Sequence, residues 1–243
     1  KTQYLFFTGK GGVGKTSAAC ATAVSLADQG EKVLLVSTDP ASNLQDVFSM
    51  ELTNKGTAIP AIPNLTVANL DPVQAAAEYR ESVLAPYRGI MPESVIANME
   101  EQLSGSCTIE IAAFNEFSNF ITDSEIQKSY DHIIFDTAPT GHTLLLLEST
   151  ENYDKEIQRT KGETPESVRK LLPRLKSGET EVVIVTLPEA TPVYEALRLE
   201  EDLKRAKISA DWWVINQSFY QAGTTNTLLK AKASNEVEWI NRI

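Results

Sequence analysis

Near the start of the chain, Gly9-Lys10-Gly11-Gly12-Val13-Gly14-Lys15-Thr16 joins the apolar run Tyr4 to Phe7 to a stretch with helical character. Glycines at this spacing let successive backbone N–H groups turn toward phosphate oxygens, and the N-terminus of the following helix adds its positive dipole end. In such a loop Lys15 reaches the β- and γ-phosphates, Thr16 offers its hydroxyl to Mg²⁺, and Ser17 follows on the first helical turn. The phosphate-binding set is therefore Gly9, Gly11, Gly12, Val13, Gly14, Lys15, Thr16 and Ser17, which implies a nucleoside triphosphate. Two aspartates extend the chemistry. Asp39 leaves the apolar run Val33 to Val36 within Ser37-Thr38-Asp39-Pro40-Ala41-Ser42-Asn43, where a carboxylate orients or deprotonates an attacking water. Asp136 ends His132-Ile133-Ile134-Phe135 and opens Asp136-Thr137-Ala138-Pro139-Thr140-Gly141-His142-Thr143. That is the Walker B arrangement, which holds Mg²⁺ through water, and Gly141 frees the loop to move when the γ-phosphate leaves. A lone aspartate of this kind reads as a helix cap or an Asx turn; two at strand ends beside a phosphate loop favour the catalytic roles. Asn216 ends the run Trp212 to Ile215, and its amide matches the donor and acceptor edge of adenine, although spacing alone does not assign it.

These residues need a sheet to hold them. Short apolar runs at Tyr4–Phe7, Val33–Val36, His132–Phe135, Val182–Val185 and Trp212–Ile215 alternate with helical stretches, the signature of parallel βαβ units. The first helix spans about Lys15 to Gln29 and stops at Gly30. The fold expected is α/β: a P-loop NTPase with a mostly parallel twisted sheet flanked by helices. Between about 71 and 130 helical signals dominate, with starts at Asp71-Pro72 and Met91-Pro92-Glu93, so this stretch reads as a helical insertion within a single P-loop ATPase domain spanning 1–243. A second helical stretch, from about Glu148 to Lys176, is charged and rich in breakers (Gly162, Pro165 and Pro173), and reads as a mobile surface segment.

The net charge of −11 argues against a phosphate backbone as the main partner, so no nucleic acid is expected. Two cysteines, Cys20 and Cys107, rule out a dense disulfide framework and suit a reducing cytosol. No stretch approaches the roughly 18 apolar residues that span a membrane, and no signal-peptide pattern is present. A cytoplasmic domain is expected, peripheral at the inner face of the membrane only through a partner.

Lys10, a second lysine immediately after the first glycine, marks the deviant Walker A class of ATPases. The segments Phe6 to Thr16, Ser37 to Asn43 and Asp136 to Thr143 together resemble ArsA, the ATPase of arsenite-extrusion pumps. The run Gln102 to Phe114 is similar to the ArsA segment that carries a metalloid-binding cysteine. The likeness extends from Tyr4 to about Ser218. It implies that Lys10 reaches across a dimer interface to the partner's nucleotide, as an arginine finger does in trans, and that Asn216 recognises adenine. It also implies Cys107 as the thiolate for As(III) or Sb(III), which are thiophilic, with His142 as a further ligand candidate. Cys20, on the helix after the phosphate loop, reads as a small buried hydrophobe.

Taken with ATP and Mg²⁺, the resemblance implies a metalloid (arsenite or antimonite)-stimulated ATPase that energises an integral membrane arsenite pump. ArsA chains carry two such halves in tandem, so the partner here is a second copy, as a homodimer, or a second ATPase half. The alternative is a targeting ATPase that delivers tail-anchored membrane proteins, whose Asp-Thr-Ala-Pro-Thr-Gly-His-Thr run is shared. That role wants a broad apolar groove, for which the sequence offers Met91 and Met99, and often a Cys-x-x-Cys zinc clamp, which is absent. A partition or positioning ATPase is disfavoured by the acidic charge, and a nitrogenase-type protein by the lack of cysteines between Asp136 and Thr143.

Overall fold

The computed structural model describes residues 2–39, 44–137 and 166–243. Among these, seven strands form one sheet. In chain order they are β1 (Tyr4–Thr8), β2 (Val33–Ser37), β3 (Thr57–Ala58), β4 (Leu65–Asn69), β5 (His132–Asp136), β6 (Thr180–Thr186) and β7 (Trp212–Ile215). Their order across the sheet is β3-β4-β2-β5-β1-β6-β7, and every pairing is parallel except β3 with β4. The chain therefore has the expected α/β architecture. β2 and β5 are buried along their whole length, as central parallel strands must be when helices cover both faces. β3 and β4 go beyond the five runs read from the sequence.

Nine α-helices are described: α1 (Lys15–Asp28), α2 (Leu44–Phe48), α3 (Pro72–Leu84), α4 (Glu93–Gln102), α5 (Ser106–Thr122), α6 (Ser124–Ser129), α7 (Glu166–Leu175), α8 (Ala190–Arg205) and α9 (Thr227–Ile240). On one face of the sheet, Ala19, Cys20, Ala23 and Ala27 of α1 pack against Phe7, Leu35, Val67, Ile134 and Val183. Small side chains on this helix let its axis approach the strands closely, which places its N-terminus against their C-terminal ends. On the other face, Phe114, Phe117 and Ile121 of α5, Leu171 and Leu175 of α7, and Leu199 and Leu203 of α8 pack against Phe6, Phe135 and Ile184. Burying side chains of this size stabilises the fold by about 1.5–3 kcal/mol each before chain entropy is counted.

The stretch 71–130 is helical, and it starts where the local chemistry predicts. Asp71 caps α3 by accepting hydrogen bonds from the backbone N–H groups of Val73 at 2.8 Å and Gln74 at 3.2 Å, with Pro72 in the first turn. Pro92 precedes α4. The late stretch differs from the sequence expectation in part. Residues 166–175 form α7, helical as expected with Pro173 inside it, but Leu171 and Leu175 are buried in the core, so this helix is packed and not a mobile surface segment. The rest of that stretch lies outside the described residues.

Candidate nucleotide site

The site is assembled where the parallel strands end. Phe7 of β1 and Ser37 of β2 both pair with Asp136 of β5, which puts the exits of three strands side by side. Two contacts carry the ladders one residue further: the Thr38 N–H donates to the Asp136 carbonyl at 3.0 Å, and the Thr137 N–H to the Phe7 carbonyl at 3.2 Å. The Thr137 hydroxyl also donates to the Phe7 carbonyl, at 2.9 Å. The phosphate loop leaves β1 and Asp39 leaves β2, so both enter the crevice outside the carboxyl ends of the strands, the usual ligand position of an open α/β sheet.

The loop is shaped by glycines that no other residue replaces without strain. Gly14 precedes α1 with φ 95°, and a Cβ on it would lie 2.2 Å from Asn216 Nδ2. Gly9, at φ 149°, passes so close to β6 that a Cβ would lie 2.2 Å from the Val185 carbonyl oxygen. No side chain caps α1, so its first N–H groups stay available to an anion. Lys15 is buried, with 6% of its surface exposed, and its ammonium donates to the Lys10 carbonyl at 3.2 Å, curled over the loop it would neutralise. Burial pulls its pKa below the usual lysine value, and the Asp136 and Asp39 carboxylates oppose that shift. Ser17 lies exposed on the first turn of α1.

Asp136 is fully buried. Its Oδ2 accepts a 2.8 Å hydrogen bond from the Thr16 hydroxyl, while its Oδ1 is buried with no hydrogen-bond partner among the described residues. Burial pushes this carboxyl up from the usual aspartate range, and the Thr16 hydroxyl and the Lys15 ammonium hold it partly down. A buried carboxylate with one orphaned oxygen, next to a threonine hydroxyl, suits Mg²⁺ held by hydroxyl, phosphate and water. Among the described residues no three His, Cys, Asp or Glu side chains converge as a protein-only metal cage.

The structure brings Asn216 onto the loop although the two are distant in sequence. Its Nδ2 donates to the Val13 carbonyl at 2.9 Å, so the residue expected at the base stands directly against the phosphate-binding turn. Lys10 points elsewhere: its ammonium lies 3.5 Å from Glu195 Oε1 on α8, with both side chains substantially exposed. Nothing in the sequence marked Glu195, because only the fold sets the distance between them. Cys20 is buried on α1, and burial pushes its thiol up to about 12, which suits a packed hydrophobe and not a thiolate ligand. Cys107 is the second residue of α5, and its side chain lies outside the described residues, as do Gly141 and His142.

This geometry agrees with what the chain is similar to. The sequence profile of the family described as Anion-transporting ATPase (ArsA ATPase) matches residues 2–177 and 160–243. The arsenical pump-driving ATPase of Acidiphilium multivorum is 40% identical over 241 residues, which cover 94% of this chain and 41% of that protein. An arsenical pump-driving ATPase of Escherichia coli is 56% identical over 145 residues, covering 60% of this chain and 25% of that protein. The ATPase ASNA1 homolog of Dictyostelium discoideum is 31% identical over 256 residues, covering 90% of this chain and 73% of that protein. This chain thus spans less than half the length of the two arsenical relatives. With its phosphate loop, buried strand-end aspartate and matching profile, the chain belongs to the ArsA-type anion-transporting ATPase family.

Proposed function

We propose that this chain is an ATP-hydrolysing domain, stimulated by arsenite or antimonite, that energises an arsenite efflux pump. The observation that carries the reading is the convergence of Lys15, Thr16 and Asp136 at the mouth of the sheet, with the Lys10 ammonium of the same loop turned aside to Glu195. On this reading the 243 residues act as one ATPase domain. It works in the cytoplasm, at the inner face of the membrane only through an integral membrane pump, and pairs with a second copy or a second ATPase half.

The chain's own residues divide the work. The N–H groups from Gly9 to Thr16 cradle the phosphates, and Lys15 leaves the Lys10 carbonyl for the β- and γ-phosphates. Thr16 and Asp136 would hold Mg²⁺, which would supply positive charge to offset that of the phosphates. Asp39 orients the attacking water and accepts its proton. Asn216 takes the adenine edge. Lys10 crosses to the partner's nucleotide, and the exposed Glu195 pair it gives up costs no more than about 1 kcal/mol.

Cys107 binds the metalloid, with His142 as a further ligand. Its helix connects to the site through aromatic packing. Phe117 of α5 meets Phe135 of β5 edge-on with ring centroids 5.4 Å apart, and Phe135 stacks on Phe6 of β1 at 4.5 Å. β5 ends in Asp136 and β1 leads into the phosphate loop, so a shift of α5 acts on the elements that carry both. A metalloid that binds the closed pair more tightly than the open one raises hydrolysis by that differential affinity.

The targeting alternative gains one observation. Tyr87, Ile90, Met91 and Val95 in the insertion are exposed, Ile90 at 79%, a larger apolar surface than the two methionines read from the sequence. The higher identity to the arsenical relatives supports the pump reading over it.

The dimer reading is tested by mixing two inactive proteins. Lys10→Ala and Asp39→Asn each lack one half of a complete site. In the mixed dimer one site keeps its own Asp39 and the partner's Lys10, so hydrolysis returns. Absence of recovery in a demonstrated heterodimer overturns the role of Lys10 in trans.

A further inference from the structure

Glu236 lies in the second half of α9, with 2% of its surface exposed, and far in sequence from the phosphate loop, Asp39 and Asp136. A carboxylate removed from water is costly unless it is hydrogen-bonded. Its Oε2 accepts from the Ser218 hydroxyl at 3.0 Å and from the Tyr220 backbone N–H at 3.1 Å. Its Oε1 is buried without a hydrogen-bond partner among the described residues. Both donors belong to the turn that follows Asn216.

That turn is held in a conformation it would not choose alone. Gln217 has φ 57°, a left-handed backbone outside glycine. Its N–H donates to Asn216 Oδ1 at 2.9 Å, while the Asn216 backbone N–H donates to the Thr186 carbonyl at 2.8 Å. Such backbone persists where surrounding contacts over-determine it. One side of the turn is fixed by β6 and by the Val13 carbonyl; the other is fixed by Glu236.

We infer that Glu236 is a positioning residue for base recognition: it clamps 218–220 so that the Asn216 amide is already set against the phosphate loop when a nucleotide arrives. The inference rests on the nucleotide reading of the site. Loss of the carboxylate leaves the Ser218 and Tyr220 donors without their acceptor, the turn relaxes, and Asn216 is no longer preorganised. The phosphate-binding turn from Gly9 to Thr16 meets this arrangement only at Asn216, through the Val13 carbonyl; the hydrogen bonds that Glu236 accepts come from Ser218 and Tyr220 and not from that turn.

The test separates base binding from phosphate binding. Calorimetric titration of the 243-residue chain with ADP and with pyrophosphate gives one Kd for base plus phosphates and one for phosphates alone. Glu236→Ala weakens ADP about tenfold, the loss expected for hydrogen bonds to a charged group, and changes the pyrophosphate Kd less than about twofold. Glu236→Gln keeps an oxygen facing both donors and stays within about threefold of the parent for ADP. Should Glu236→Ala fail to fold, Ser218→Ala removes one donor only and weakens ADP by about threefold with pyrophosphate unchanged. Equal losses for both ligands, or none, overturn the positioning role while leaving the nucleotide site in place. A parent chain that binds neither ligand overturns the nucleotide reading, and this inference with it.

Discussion

The exits of β1, β2 and β5 hold their functional groups with backbone geometry, whereas the helical stretch 71–130 is held to the sheet by packed side chains. At the strand exits the positions of Thr16, Lys15 and Asp136 follow from parallel register, glycines at positive φ and two one-residue extensions of the ladders. The insertion instead sits on the sheet through Phe114, Phe117 and Ile121, and turns exposed apolar groups such as Ile90 outward. A site fixed by backbone tolerates little change and performs one reaction; a site carried on packed helices moves as a unit and is suited to regulation and to meeting partners.

Substitutions that act on one region and spare the other sharpen this contrast. The largest effect is expected from Lys15→Ala, which removes the cation nearest the β- and γ-phosphates. Hydrolysis should fall roughly 1,000-fold or more, the scale of loss expected for a group that neutralises the transferring phosphoryl. Near-normal turnover in a coupled phosphate-release assay would show that the loop is not the reacting centre.

Asp136→Asn should lower Mg²⁺-dependent hydrolysis about 100-fold or more, yet raise the Tm of the nucleotide-free chain. The sign follows from the raised pKa of Asp136, caused first by burial. The fold favours the protonated carboxyl, so this group costs stability as pH rises through its folded pKa, and the neutral amide removes that cost. Thermal melts of parent and variant across pH should converge on the acid side and separate at neutral pH. A variant that melts below the parent at pH 7 contradicts the account of the buried charge. The smallest effect belongs to Cys20→Ser. With its thiol pushed up to about 12, Cys20 is not a thiolate near neutral pH, and basal and metalloid-stimulated rates should stay within about twofold of the parent.

The same contrast explains what was legible in the sequence. Gly9 to Thr16 and the two strand-end aspartates stood out because residue types alone constrain the backbone there. Asp71, Pro72 and Pro92 marked helix starts for the same reason. β3 and β4 were missed: one has two residues, and the other mixes Leu65 and Val67 with Thr66, Ala68 and Asn69, so its apolar signal is short. α7 is helical as the charged stretch suggests, but its packing was not legible there, because Leu171 and Leu175, which anchor it to the core, sit among charges and beside Pro173. The Lys10–Glu195 pair and the clamp from Glu236 onto the turn after Asn216 exist only through tertiary placement, and no local pattern announces them.

The central claim is that a soft metalloid on the insertion governs a reaction at the strand exits. Its most direct test is steady-state ATP hydrolysis by the parent chain and by Cys107→Ser, each with and without antimonite, at several protein concentrations. The account predicts that antimonite raises the parent's rate, more so as concentration brings chains together, and that Cys107→Ser keeps the basal rate but loses the stimulation. Equal stimulation of both proteins would move the metalloid site away from Cys107, and a parent rate indifferent to antimonite would contradict the pump reading and favour the targeting one.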